Sequence, residues 1–182
     1  GAVAVFALAY GYGALSHPAF ASAQVFLNLI IDNAFLLIAA VGLCFVILSG
    51  GIDLSVGSVI ALTTMVSAWL VERQHWSAAQ AMPLVLALGT VFGALQGWLI
   101  MRFRLQPFIV TLAGMFLARG LCYLISIDSI SITDEDYTRL AQARIPLGSD
   151  DASLTVGAVI ALAVLALGLL VARGTEFGRT VY

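Results

Sequence analysis

Ionisable side chains are scarce in this 182-residue chain, so the few that interrupt apolar sequence mark where chemistry can occur. The foremost is Asp53, in the run Ser49-Gly50-Gly51-Ile52-Asp53-Leu54-Ser55-Val56-Gly57-Ser58, which breaks an otherwise apolar stretch over residues 34–70. A carboxylate at membrane depth costs about 2.5–3.5 kcal/mol on insertion scales and normally faces a bundle interior or a water-filled cavity. One reading is therefore a polar pathway for a solute. The other is that Asp53 or Ser55 N-caps a helix beginning near Val56, satisfying its free N–H groups. The two are compatible, and Gly50, Gly51 and Gly57 suit either, because glycine permits tight turns and close approach.

Four further groups stand out. Gly89, Gly93 and Gly97 recur every four residues and share one helix face, a pattern that lets neighbouring backbones approach, so helix packing is the favoured reading. Gln96 lies beside that face, where a bond to a neighbouring helix or to a polar solute is available. Gln106-Pro107-Phe108-Ile109-Val110-Thr111 reads as a helix entry with Pro107 at the first position. Arg119 then lies about 18 Å along that helix. It must either snorkel to the interface or pair inside the bundle with a carboxylate or a helix end. Asp32-Asn33 sits where an interfacial Asp can cap a helix.

Several chemistries lack their residues. His17 and His75 are in separate loops without an H-E-x-x-H spacing, so neither a zinc protease nor a Ser-His-Asp hydrolase has support, and no metal site is expected. An intramembrane aspartyl hydrolase would need Asp32 and Asp53 close enough to share a proton, which nothing in their spacing provides. There is no lysine and hence no P-loop, so any nucleotide energy must come from another chain, and no catalytic residue or cofactor is assigned. Cys44 and Cys122 each sit in apolar sequence, where packing is the ordinary role. A net charge of −2 without a basic stripe offers nothing to nucleic acid.

These groups are carried by sequence that is 62% hydrophobic and 10% charged, with mean hydropathy +1.05, the composition of a protein in membrane lipid. Six apolar segments are legible, at 1–15, 28–48, 56–71, 79–101, 108–127 and 154–172, and predict an all-α polytopic membrane protein. Runs 34–48 and 56–70 would each rise only about 22 Å, so part of the glycine-rich segment is expected at membrane depth, facing protein or a cavity. The polar stretch 128–153 predicts a short surface helix over 133–140, capped by Thr133 or Asp134. Arg102 and Arg104 share a face with Arg173 and Arg179, two spans away, and that face is expected to be cytoplasmic, leaving 128–153 external. Trp69, Trp76 and Trp98 fit interfacial belts. The chain opens within apolar sequence, as a piece beginning inside a span would.

The wording is also recognisable. Phe45-Val46-Ile47-Leu48-Ser49-Gly50-Gly51-Ile52-Asp53-Leu54-Ser55-Val56-Gly57-Ser58, then Pro107-Phe108-Ile109-Val110-Thr111-Leu112-Ala113-Gly114-Met115 with Ala118-Arg119-Gly120-Leu121, and Thr175-x-Phe177-Gly178-Arg179-x-x-Tyr182, together resemble the ribose-type monosaccharide ABC transporter permease family. Within it, the wording most resembles galactofuranose importer permease subunits. The resemblance implies residues 1–182 as the N-terminal portion of a single transmembrane permease domain in a bacterial inner membrane. It implies a second permease subunit, a cytoplasmic ATPase subunit, a periplasmic sugar-binding protein and a monosaccharide substrate. Carried over by position, Gly50, Gly51, Asp53 and Ser55 would belong to the substrate pathway, with Phe108, Thr111 and Arg119 as further candidates. It also implies that the ATPase-coupling helix lies beyond Tyr182. The rival reading is a non-transport structural or receptor-associated membrane module in which Asp53 only caps a helix.

Overall fold

The computed structural model describes residues 1–17, 20, 22–146, 148 and 152–181. In chain order they form α1 (Ala2–Ser16), α2 (Ala23–Asp32), α3 (Ala34–Leu48), α4 (Val56–Glu72), α5 (Ala78–Phe103), α6 (Pro107–Ile125) and α7 (Glu135–Gln142). There follow an antiparallel hairpin of β1 (Arg144–Pro146) and β2 (Ser153–Thr155), then α8 (Val156–Gly174) and α9 (Glu176–Val181). Each expected apolar segment is mainly helical. They are not six equal spans, however: α5, α6 and α8 are long and apolar enough to cross a membrane, α2 with α3 makes a fourth if taken as one bent span, and α1 and α4 are shorter.

The segment expected over 28–48 is broken at Asn33, where α2 and α3 meet at 55°. The Asn33 amide donates to the Leu29 carbonyl at 2.8 Å, closing α2 with a side-chain bond that competes with the helical ladder. Asp32, expected to cap here, adds no side-chain bond among the described residues. The surface helix forms as α7, and Asp134 is its cap, its Oδ1 accepting from the Tyr137 N–H at 2.8 Å.

Packing follows the logic of a lipid solvent. The fully buried apolar residues Ala81, Ala118, Ala158 and Ala161 are small, whereas Leu86, Leu124 and Leu170 point outward at 71%, 82% and 67% exposure. Lipid is as apolar as leucine, so burying large side chains gains little and close backbone contact decides the interfaces. The helices fall into two sets. α4, α5 and α6 pack on one another, and α2, α3 and α8 pack on one another with α9 against α8. Contacts between helices of different sets are sparser than those within each set. The sets are joined at one end by the turn over residues 49–55 and at the other by the polar stretch that carries α7 and the hairpin.

Candidate functional site

The Ser49 to Ser55 turn is built from its glycines upward. Gly51 N–H donates to the Val46 carbonyl at 2.9 Å and Gly50 N–H to the Ile47 carbonyl at 3.0 Å, a doubly bonded helix stop that places Gly50 in the left-handed region at φ +79°. Gly51 is fixed by space: a Cβ there would meet Val46 Cγ1 at 3.2 Å, the Val46 carbonyl oxygen at 3.3 Å and Pro107 Cβ at 3.7 Å. Pro107 begins α6 as expected, and the Thr111 hydroxyl one turn later donates to the Ile52 carbonyl at 3.1 Å. The turn is thus held against the start of α6.

Asp53 follows. Its Oδ1 accepts from both the backbone N–H and the hydroxyl of Ser55, each at 2.7 Å. Ser55 is the N-cap of α4, but its side chain makes no capping bond, and its one proton goes to the carboxylate. Ser55 Oγ can then only accept, and it accepts from Gln96 Nε2 on α5 at 3.2 Å. The direction of this relay fixes the amide orientation, turning Gln96 Oε1 toward α6, where it is buried without a partner. Gly114 makes the room, since a Cβ at that position would stand 2.8 Å from Gln96 Oε1.

The relay lies on the wall of a cavity of about 700 Å³ between the two helix sets. Phe35 and Val46 of α3 face Thr63 of α4, the Gly89, Gly93 and Gly97 stripe of α5, and Thr111 of α6, with Asp53 and Ser55 at the turn end. The glycine stripe lines this cavity, with Gly89 close to α4. A Cβ at Gly89 would touch Thr63 Cγ2 at 3.6 Å, and at Gly93 and Gly97 it would meet nothing within 4 Å. Most wall oxygens are already engaged, Thr63 by its own helix carbonyls and Thr111 by Ile52.

Of the expected site residues, Gly50, Gly51, Asp53, Ser55 and Thr111 come together here. Phe108 does not: its side chain is 46% exposed on the outside of α6. Arg119 lies two turns beyond Thr111, exposed, with Nε donating to Ser58 Oγ at 3.4 Å, and among the described residues no carboxylate pairs with it. Asp32 and Asp53 are separated by the 15-residue α3, a rise of about 22 Å, too far to share a proton. No cluster of metal-ligating residues occurs among the described residues, and Cys44 and Cys122 are free thiols. Gln96 was recognisable only as a polar residue in an apolar helix. Gly114 carried no signal until its neighbour was known. In the Thr175 to Arg179 motif, Gly178 packs against the carbonyl oxygens of Val171 and Ala172 so closely that no side chain fits.

The fold is that of a predominantly helical membrane protein with a polar relay on the wall of a cavity. Residues 25–182 match the family model described as "Branched-chain amino acid transport system / permease component". The chain is 46% identical over 182 residues to the inner membrane ABC transporter permease protein YjfF of Escherichia coli, covering 99% of this chain and 54% of that protein. It is 43% identical over 160 residues to the fructose import permease protein FruG of Bifidobacterium longum, covering 85% and 47%, and 34% identical over 167 residues to the ribose import permease protein RbsC of Haemophilus influenzae, covering 91% and 51%. The chain belongs to this permease family. It is a multi-pass inner-membrane permease component, not itself an enzyme. It spans about half the length of the relatives it matches. No solved structure matches it.

Proposed function

We propose that the protein containing this chain imports a monosaccharide, galactofuranose-like or ribose-like, by ATP-driven alternating access, and that residues 49–58 with Gln96 and Thr111 form part of its pathway. The observation that carries the reading is the Asp53–Ser55–Gln96 relay on a cavity that is otherwise apolar. A neutral polyol brings hydroxyl donors, which complement a wall whose uncommitted groups are acceptors. The similarity to proteins named as fructose and ribose import permeases favours the sugar reading over the amino-acid substrate in the family model's description.

A second permease subunit would face the exposed leucines, a periplasmic sugar-binding protein would deliver the solute to the end bearing residues 128–153, and a cytoplasmic ATPase subunit would act from the end bearing Arg102, Arg104, Arg173 and Arg179. Coupling requires an element whose position differs between the two access states and which the ATPase can bias. The Thr175 junction between α8 and α9, onto which Gly178 of α9 packs, is the element of this chain suited to that role. The experiment is uptake of labelled ribose, xylose, fructose, galactose and leucine by the full-length permease with its partner subunits. Uptake of a sugar and not of leucine is expected. Uptake of leucine alone would overturn the substrate class.

A further inference from the structure

Arg119 is the one charged residue of α6, and its placement leaves it short of a partner. α4 and α6 run side by side in the same direction. The Thr111 bond to Ile52 joins them near one end, and Trp69 and Ile125 share a cavity of about 340 Å³ near the other. From Trp69 back to Ser58 is 11 residues, about 16 Å, whereas from Ile125 back to Arg119 is six, about 9 Å. To donate from Nε to Ser58 Oγ at 3.4 Å, the Arg119 side chain therefore reaches about 7 Å back toward the turn, the direction in which helical side chains lean. It points away from the nearer interface instead of snorkelling to it. The guanidinium ends near the middle of the roughly 28 Å that the 19-residue α6 spans.

Nothing it meets there balances its charge. Ser58 is neutral and lies in the first turn of α4, where the helix dipole is positive and disfavours a cation. Among the described residues Nη1 and Nη2 make no bond, and the one ion pair is Arg139 with Asp136, outside the spans. Nor does Arg119 line the cavity that bears Asp53. A charge at this depth in a span ordinarily pairs or faces the interior of a bundle, and within this chain Arg119 does neither. The surrounding face of α6 is open as well. Val110, Thr111, Gly114 and Ala118 are buried on the side toward α4 and α5, while Phe116 and Tyr123, 63% and 65% exposed, share the other side with Arg119 and Gly120. A Cβ at Gly120 would meet nothing within 4 Å, so a neighbouring backbone can come close beside the guanidinium.

We propose that this face receives a transmembrane helix from the part of the permease polypeptide that this chain does not span, and that a carboxylate on that helix pairs with Nη1 and Nη2 of Arg119. The chain covers only 54%, 47% and 51% of the three relatives above, so polypeptide of similar length is available to supply such a helix. A helix of the same polypeptide is at hand when α6 enters the membrane, whereas a second subunit arrives only afterwards. The first therefore spares α6 an unpaired charge in lipid. The pairing does not depend on which solute is carried.

The test introduces Phe116→p-benzoylphenylalanine, a photoreactive residue, into the full-length permease in membranes with its partner subunits. Illumination and peptide mapping are expected to give an intramolecular product with a peptide that lies outside residues 1–182 and contains Asp or Glu. Each acidic residue of that peptide is then replaced by Asn or Gln, alone and together with Arg119→Met. For one of them, each single variant is expected to unfold several degrees below the parent and the double variant no lower than either single, because removing one partner strands the other and removing both does not. A product only with lipid, with the second permease subunit or within residues 1–182 would overturn the proposal, as would no product or a peptide without a carboxylate. Additive losses in the double variants, or an Arg119→Met variant as stable as the parent, would overturn it too. None of these readouts is sugar uptake, so the transport reading stands or falls separately.

Discussion

Replacing Gln96 by methionine separates a pathway role from a packing role more sharply than most substitutions, because the two predict opposite balances of stability and activity. Methionine keeps the length and flexibility of the side chain but neither donates to Ser55 nor carries the buried oxygen that faces Gly114. Losing the 3.2 Å bond to Ser55 costs about 0.5–1.5 kcal/mol, while removing an unsatisfied buried acceptor returns about 1–3 kcal/mol. The net change in stability therefore runs from about 0.5 kcal/mol unfavourable to about 2.5 kcal/mol favourable. Transport moves the other way. Without the Gln96 donor the Ser55 hydroxyl is no longer obliged to point at Asp53, and a loss of about 0.5–1.5 kcal/mol in positioning lowers uptake about 2- to 13-fold. The assay is sugar uptake by the reconstituted full-length permease with its partners, alongside thermal unfolding of the same preparation. Undiminished uptake would refute the relay as a working part of the pathway, and a fall in uptake matched by an equal fall in stability would make Gln96 a packing residue only.

Two other outcomes follow from the same geometry. Gly178→Ala forces a Cβ into the carbonyl oxygens of Val171 and Ala172, a strain of about 1–3 kcal/mol, so α9 must shift; sugar-stimulated ATP hydrolysis by the assembled complex is expected to fall while membrane insertion is unchanged. Glu72 lies just past the apolar part of α4, and the Thr133 N–H, opposed by desolvation and supported by the Asp134 N–H, the Thr133 hydroxyl and nearby His75, holds its carboxyl below the usual glutamate range. A lowered folded-state value means the clamp contributes fully above the pH at which a free glutamate titrates and is lost as pH falls through the lower, folded value. The tryptophan fluorescence of Trp69 and Trp76, measured with Trp98→Phe, is therefore expected to show an acid transition centred below free glutamate, and Glu72→Gln is expected to abolish it.

Much of this was legible from local sequence. Helix lengths, the Pro107 entry and the Asp134 cap are all set within four residues of themselves, where propensity and capping chemistry act; an N-cap by Asp53 or Ser55 was expected, and the two side chains pair with each other instead. The break at Asn33 escaped because an apolar run around one asparagine reads as continuous until the side chain is seen bonding back to Leu29. For the glycine stripe, spacing reports a shared face but not what lies opposite it. Gln24, 129 positions from Ser153, and Glu72, 61 from Thr133, are ordinary polar residues beside loops, and nothing short of the fold brings their partners to them. Gly114 is defined by a neighbour 18 positions away that occupies its missing side chain.

The central claim is that Asp53 serves a solute pathway and does not merely close a turn. The most direct measurement is sugar uptake by the full-length permease carrying Asp53→Ala or Asp53→Asn, in complexes whose assembly is checked on the same membranes. An asparagine side-chain oxygen can still accept from the Ser55 N–H and so preserves the turn, but it removes the charge that the cavity wall presents. The account predicts that both variants assemble and that both lose most uptake, with Asn no better than a partial substitute. Near-normal uptake by Asp53→Ala, or full rescue by Asp53→Asn, would contradict it and leave Asp53 as the residue that starts α4.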